Sequence, residues 1–324
     1  MSTLGWLSLV ITLLLEQLRP LPAANPVYGA VRQISGWAER NLNAGRRRHG
    51  AYAWLLVVVG LTLVVGAAYA VAASISVVLG LAVNVAVLFF ALGFRQFSHR
   101  GTEIQIALAN GDLNAARREL TAWKQLRDPS FTAADLSQDE VVRQAIEHGL
   151  LLAQRHVFGV FFWFLVLPGP MGAVLYRLAE HVARVWERPP SAATPPDRFG
   201  EFASKAFAWI DWIPARLTSL GFAIVGDFEG AIYCWRQVAR QAPAAGLPTP
   251  DSRTLILAAA SGALGLRLMP TTEAARHFDE VGNEGAGLAD PGVPALRSVV
   301  GLVWRSILLW LALLLALTLA GWFA

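Results

Sequence analysis

Asp211-Trp212-Ile213-Pro214-Ala215-Arg216 sets one acid and one guanidinium five residues apart in strongly apolar surroundings. A charge at bilayer depth costs ~3 kcal/mol or more unless it is paired or faces a cavity. The pair therefore marks either a polar site or an interfacial helix, with Asp211 as a cap and Arg216 snorkelling into water. On a regular helix the two side chains diverge by roughly 140°. Pro214 interrupts the ladder between them and lets their ends converge, and Arg177, from a segment broken by prolines, is expected to approach the same site. A second candidate, Glu147, follows Arg143 by four residues, a spacing that fits a helical ion pair as well as a catalytic acid.

The chain holds no Gly-x4-Gly-Lys-[Ser/Thr] phosphate loop, no His-Glu-x-x-His and no Gly-x-Ser-x-Gly. Its histidines (His49, His99, His148, His156, His181 and His277) are scattered. His148 and His156 lie two helical turns apart, too far to share a metal. The single Cys234 excludes an internal disulfide and a thiolate metal cage. Of 27 basic residues only Lys124 and Lys205 are lysine, an arginine bias that by itself indicates no ligand. No reaction follows from these residues alone.

The elements that must position them belong to a membrane protein. Of the 324 residues 55% are hydrophobic and 15% charged, with a mean hydropathy of +0.46, which excludes disorder, a coiled coil and an ordinary soluble enzyme. Ala51 to Phe94 has no Asp, Glu, Lys or Arg. As one helix it would be roughly 66 Å long, about twice the hydrocarbon core, so it must cross twice, turning at the small residues Ala72 to Ser76. Leu4 to Leu18 is read as an uncleaved first helix, because no basic residue precedes it as a secretory signal requires. Val157 to Tyr176 is broken by Pro168-Gly169-Pro170 and is either a kinked span or two half-helices. Ser306 to Ala324 is a final span anchored by Trp304, Arg305 and Trp322.

Arginines 32, 40, 46, 47 and 48 precede the hairpin, Arg95 and Arg100 follow it, and its tip has no basic residue. Residues 20–50 and 95–155 are therefore expected in the cytoplasm and the tip outside. The expected fold is all-α and polytopic, with about four to five membrane segments. It divides into a three-span region (1–94), a helical cytoplasmic region (95–155), a broken segment with amphipathic helices (156–240), a loop-rich polar region (241–303) and a C-terminal span (304–324). Gly111-Asp112-Leu-x-x-Ala116 matches Gly226-Asp227-Phe-x-x-Ala231. This reads as one economical helix corner used twice, since a repeat architecture wants more copies. Glu187–Asp197 and Gln241–Pro250 are Pro-rich linkers, and Thr271–Pro294 is polar.

Taken together, Ala107-Leu108-x-x-Gly111-Asp112-Leu113, Arg127-Asp128, Arg143-x-x-x-Glu147, Phe162-Trp163, Tyr176-Arg177 and Trp212-Ile213-Pro214-Ala215-Arg216-Leu217 resemble the CobD/CbiB family of cobalamin-assembly membrane proteins and their relative AmpE. The resemblance runs from Asn25-Pro26-Val27 to the last span. It implies an adenosylcobinamide-phosphate synthase type of reaction, joining a corrinoid carboxylate to aminopropanol or its phosphate. The departures fall on polar positions. A Glu-Asn pair and a later Asp of the family correspond to Leu151, Leu152 and Arg155. An Asn-Thr-Leu-Asp-Ser run corresponds to Glu180-His181-Val182-Ala183-Arg184, a paired Asp to Phe207-Ala208, and an Asn to Asp211.

Amide formation needs an activated carboxylate, normally through phosphoryl transfer with Mg2+, and leucine supports neither. The expectation is therefore an AmpE-like, non-catalytic membrane protein that senses or binds at the cytoplasmic face and is inactive on corrinoids. The alternative is the amide-forming enzyme, with its acids drawn from Asp128, Glu147, Glu180 or Asp211. Arg127, Arg143, Arg177, Asp211 and Arg216 are the candidate ligand-binding groups, for a small anionic or corrinoid ligand. No metal, cofactor or nucleic acid is expected, ATP and Mg2+ entering only with the enzyme alternative. The bilayer is the expected partner, with homo-oligomerisation open.

Overall fold

An uncharged apolar run stays helical until its backbone donors find another partner, and Ser76 supplies one. In the computed structural model, which describes residues 3–18, 25–92, 94–187, 197–242, 250–269 and 288–323, the serine hydroxyl accepts from Val78 N at 3.2 Å and starts a new helix. Twelve helices occur among the described residues: α1 (Thr3–Leu18), α2 (Pro26–Leu42), α3 (Arg47–Ile75), α4 (Val77–Ala91), α5 (Phe94–Ala109), α6 (Leu113–Gln125), α7 (Gln138–Val166), α8 (Met171–Trp186), α9 (Glu201–Val225), α10 (Phe228–Gln241), α11 (Ser252–Leu264) and α12 (Val293–Phe323). There is no strand among the described residues beyond one isolated bridge, Leu266 with Ala289. Helices α3 and α7 each contain a π turn, Leu55–Val59 and Gln154–Phe158. Helices α3, α7 and α12 are long and apolar enough to cross a membrane, while Leu4–Leu18, Val77–Ala91 and Ser252–Leu264 are shorter apolar helices.

The chain forms two compact units. The first comprises residues 1–93, 155–214 and 314–324. In it α1 and α3 pack on α4, and α8 packs on α2, α3, α4 and the end of α7. Its core joins Ala38, Trp54, Val57, Val58, Ala179, Val182, Trp186 and Phe199. Buried hydroxyls in its apolar helices bond to the carbonyl one turn back, Thr12 to Ser8 O at 2.6 Å and Thr62 to Val58 O at 2.7 Å, which satisfies both donors. At Pro168-Gly169-Pro170 the chain reverses, with Gly169 at φ +59°, and α8 folds back on α7. A Cβ on Gly172 would lie 1.7 Å from Trp163 O, so the return requires glycine there. Of the two alternatives for Val157–Tyr176, the segment is two helices and not one kinked span.

The second unit comprises residues 94–154 and 215–313. Helices α5, α6 and the start of α7 pack together, and α10 lies along α11, which also touches α7. Asp112 and Asp227 cap α6 and α10 through Ala115 N at 2.8 Å and Glu229 N at 3.0 Å. The glycines before them serve different needs: Gly111 takes φ +75°, whereas Gly226 makes room for Ala263, 2.7 Å from where a Cβ would sit. One corner is thus used twice for unlike reasons.

Three boundaries read from composition shift. The region 241–303 contains the helix α11, whose residues Leu255 to Ala263 are all buried. Its flanking prolines masked a small-residue helix made for close packing. The C-terminal helix starts at Val293, well before residue 304, and the boundary at 155 lies inside α7. Positions 188–196 and 243–249 of the linkers and 270–287 of the polar stretch lie outside the described residues.

Candidate functional site

Helix α8 is amphipathic because its apolar positions (Leu178, Ala179, Val182, Ala183, Trp186) recur at helical spacing, leaving Arg177, Glu180, His181 and Arg184 on the other face. Glu180 has a side chain only 3% exposed, and three guanidiniums surround it: Arg177 at 3.3 Å, Arg184 at 3.6 Å and Arg155, from the π turn of α7, at 4.0 Å. Two of these contacts follow from i,i+3 and i,i+4 spacing on one helix. His181 sits between Arg184 Nη2, at 3.3 Å from Nδ1, and Ser35 Oγ of α2, at 3.1 Å from Nε2. Burial first, and then the Arg184 charge, push its pKa down to about 4, so the ring is neutral near pH 7. A neutral ring facing a guanidinium presents Nδ1 as acceptor and places its proton on Nε2, which donates to Ser35 Oγ. Ser35 in turn donates to Arg32 O at 3.1 Å.

Beside this network lies a second buried contact. Tyr176 is fully buried and its hydroxyl donates to Asp211 Oδ1 at 2.7 Å. The ring fits because residue 159 of α7 is glycine: a Cβ there would lie 2.1 Å from Tyr176 Cζ. Asp211 is 4% exposed and is positioned by a compensation within α9. Pro214 has no N–H, which leaves the carbonyl of Ile210 without its helical donor. Trp163 Nε1 fills that place at 3.1 Å. The motifs Phe162-Trp163 and Trp212-Ile213-Pro214 are thereby joined by one hydrogen bond.

The predicted residues divide between the units. Arg177, Glu180 and Asp211 fall in the first, where Arg177 engages Glu180. The acid that Arg177 is seen to engage is Glu180, three residues on in its own helix. Asp211 and Arg216 belong to different units. Arg127, Asp128, Arg143 and Glu147 belong to the second. Asp128 caps an exposed turn, accepting from Ser130 N at 3.0 Å and Ser130 Oγ at 2.6 Å, bonds that hold its carboxyl below the usual range. Arg127 stands half-buried in the same turn. Glu147 is buried and meets Arg253 from α11, a partner that no local spacing announces, while Arg143 lies half-buried one turn before it.

Arg155 and Arg184, read from sequence as places where polar chemistry is lost, turn out to share Glu180. Both positions carry charge into one buried cluster. Tyr176, His181, Ser35 and Gly159 were also missed as site residues; the spacing of Arg177, Glu180 and Arg184 was the readable signal. A carboxylate enclosed by three guanidiniums does not fit Mg2+, and no cluster of three or more His, Cys, Asp or Glu suited to a metal occurs among the described residues.

The family described as CobD/Cbib protein matches residues 7–290. Cobalamin biosynthesis protein CobD of Stutzerimonas stutzeri (strain A1501) is 31% identical over 321 residues, covering 98% of each chain. A protein of the same name from Chromobacterium violaceum is 35% identical over 234 residues, 72% of this chain and 70% of its own. No solved structure matches. Both relatives are named for cobalamin biosynthesis, which overturns the expectation of an AmpE-like, non-catalytic sensor without corrinoid chemistry. With the family matched along most of its length and a relative 31% identical over 98% of both, the chain belongs to the CobD/CbiB family.

Proposed function

We propose that this chain is a membrane enzyme of cobalamin biosynthesis of the adenosylcobinamide-phosphate synthase type, forming an amide between a corrinoid carboxylate and aminopropanol or its phosphate. The observation that carries the proposal is the match to a protein named for that pathway along 98% of both chains, so that every element of the α8 site falls within it. The site supports it chemically. Amide formation requires that an anionic substrate be held, that the attacking amine lose a proton, and that one carboxylate oxygen leave, which this reaction class achieves by phosphoryl transfer from ATP with Mg2+ and departure of phosphate. In this reading Arg155, Arg177 and Arg184 supply the first, and Asp211, whose Oδ1 accepts from Tyr176, takes the second. ATP and Mg2+ enter with this reading, and the residues named here bind, orient and accept a proton.

The protein works in the cytoplasmic membrane with residues 20–50 and 95–155 inside, the orientation favoured by the arginines flanking the hairpin. Single cysteines in a Cys234→Ser background test this with an impermeant thiol reagent. Labelling of Ala73 and protection of Ala115 in intact cells is expected; the reverse pattern would reverse the assignment. For the reaction, the gene is placed in a strain without its own amide-forming enzyme. Restored corrinoid amidation, diminished by Asp211→Asn, is the expected result, and no restoration by a well-expressed, membrane-inserted chain would remove the proposal.

A further inference from the structure

Helix α2 is held at both ends to one face of the membrane hairpin. Its first turn is tied to the end of α4 by Tyr28, whose hydroxyl donates to Phe90 O at 2.8 Å, and its last turn leads through residues 43–46 into the start of α3. Since α3 and α4 are the two legs of one hairpin, these anchor points lie at the same membrane surface, and α2 runs along it. The corner between α2 and α3 is fixed. Gly45 turns the chain at φ +69°, Asn43 Nδ2 donates to Asp197 Oδ2 at 2.9 Å, and a Cβ on Gly50 would lie 1.9 Å from Phe199 O. Along α2, Val27, Ile34 and Trp37 form an exposed apolar strip at helical spacing.

The start of α3 gives the depth of this corner. Tyr52, Leu55 and Leu56 are the first exposed apolar residues of the span, and Arg48 stands on the same stripe, one turn before Tyr52 and two before Leu55. At ~1.5 Å per residue its Cα lies ~6 Å beyond Tyr52, within the headgroup layer of ~5–7 Å that flanks each side of the hydrocarbon core. Arg40, Arg46, Arg47 and Arg48 are exposed, and none of them makes an ion pair among the described residues. Residues 20–50 hold a single acid, Glu39. The acids brought to the corner by α9 are engaged elsewhere: Asp197 accepts from Asn43 and from Phe199 N, and Glu201 pairs with Arg198 and Lys205.

We propose that α2 lies in the headgroup layer of the membrane and that Arg40, Arg46, Arg47 and Arg48 form a binding surface for anionic phospholipid, with Ile34 and Trp37 seated on its acyl side. A guanidinium matches a phosphate with two parallel N–H donors, and tryptophan settles where the headgroups meet the hydrocarbon. Four guanidiniums at headgroup depth favour a lipid with net negative charge. A zwitterionic headgroup already balances its phosphate with its own ammonium. Because α2 also carries Ser35, whose hydroxyl meets His181 and whose carbonyl accepts from Trp186 Nε1 at 3.2 Å, lipid that steadies α2 steadies the packing of α8 as well.

Full-length protein in a neutral detergent is titrated with phosphatidylglycerol, phosphatidylcholine and inorganic phosphate, bound lipid being counted by native mass spectrometry and stability followed by thermal unfolding. Phosphatidylglycerol is expected to bind and to raise Tm, phosphatidylcholine to bind about tenfold more weakly or less, and inorganic phosphate not to compete. Arg40→Gln should weaken phosphatidylglycerol about fivefold, and Arg46→Gln, Arg47→Gln and Arg48→Gln combined about hundredfold. Arg46→Lys, Arg47→Lys and Arg48→Lys combined should retain most of the affinity. Arg236→Gln with Arg240→Gln, on the exposed side of α10, should leave it unchanged. If the triple glutamine variant does not fold, the unaltered protein still decides, because its preference for phosphatidylglycerol should vanish at about 1 M salt, where charges are screened beyond ~3 Å. Equal affinity for the two lipids at low salt, a preference that persists at high salt, or a folded triple variant that binds phosphatidylglycerol as the unaltered chain does would each overturn the proposal. Competition by inorganic phosphate would assign the arginines to a soluble phosphate compound instead.

Discussion

Glu180 and Glu147 are both helical glutamates with nearly buried side chains, 3% and 8% exposed, but they keep different company. Around Glu147 the charges cancel. Arg253 and Lys124 stand against Glu147 and Asp128, and Lys124 is further held by Gln144 at 2.5 Å and by the Phe131 ring at 4.2 Å. Burial pushes the Lys124 amine below its usual pKa, which eases the cost of enclosing it. Around Glu180 one carboxylate faces three guanidiniums. Burial alone therefore does not single out a functional acid; the surplus of opposite charge beside it does. The group around Glu147 ties α6, α7 and α11 together, and the group around Glu180 gathers Arg155 of α7 with Arg177 and Arg184 of α8.

The largest effect that would sharpen this contrast is expected from Glu180→Gln. Removing the acid leaves three guanidiniums crowded together and should lower stability by roughly 3–5 kcal/mol. Thermal unfolding in detergent measures it. A smaller loss than Glu147→Gln causes would erase the distinction between the two regions.

Next is acid. The folded pKa of His181, about 4, lies below its ordinary 6.5, so the unfolded chain takes up the proton first. The stability this histidine contributes is complete above pH 6.5 and falls as pH drops toward 4, by roughly 3 kcal/mol in total. Stability curves of the unaltered chain and His181→Gln, subtracted from one another, should show the difference in that window, and parallel curves would mean that the ring is not held neutral.

Tyr176→Phe removes the donor to a buried carboxylate and should cost about 2 kcal/mol, together with a loss of amidation, because Asp211 is no longer held. Unchanged activity would place Asp211 outside the chemistry. The smallest effect belongs to Arg253→Gln. Its guanidinium is 54% exposed and solvent already screens the pair, so about 1 kcal/mol or less is expected, with amidation intact. A loss as large as that from Glu180→Gln would show that the two glutamates are equivalent after all.

Much of the fold was legible in order along the chain. The hairpin turn at Ser76, the caps at Asp112 and Asp227, the proline break at 168–170 and the apolar helices all follow from neighbours a few residues apart. Helix α11 was missed because its composition, Leu-Ile-Leu-Ala-Ala-Ala-Ser-Gly-Ala, is that of a helix packed on every side, with no polar face to give it a period. In the site, Arg177, Glu180 and Arg184 could be grouped by spacing. Arg155 could not, since it comes from another helix and was counted as a lost acid.

The sequence by itself determined that the protein is helical, that it belongs in a membrane and which family it resembles, because hydropathy, helix caps and motif spacing are properties of contiguous residues. Only the tertiary structure decided which charges meet. Glu147 with Arg253, Asp211 with Tyr176, Arg155 with Glu180, and Trp163 with the carbonyl that Pro214 leaves unpaired all join separate helices. Such pairings depend on how helix faces pack, through features as small as the missing Cβ of Gly159, and no period along the chain encodes them.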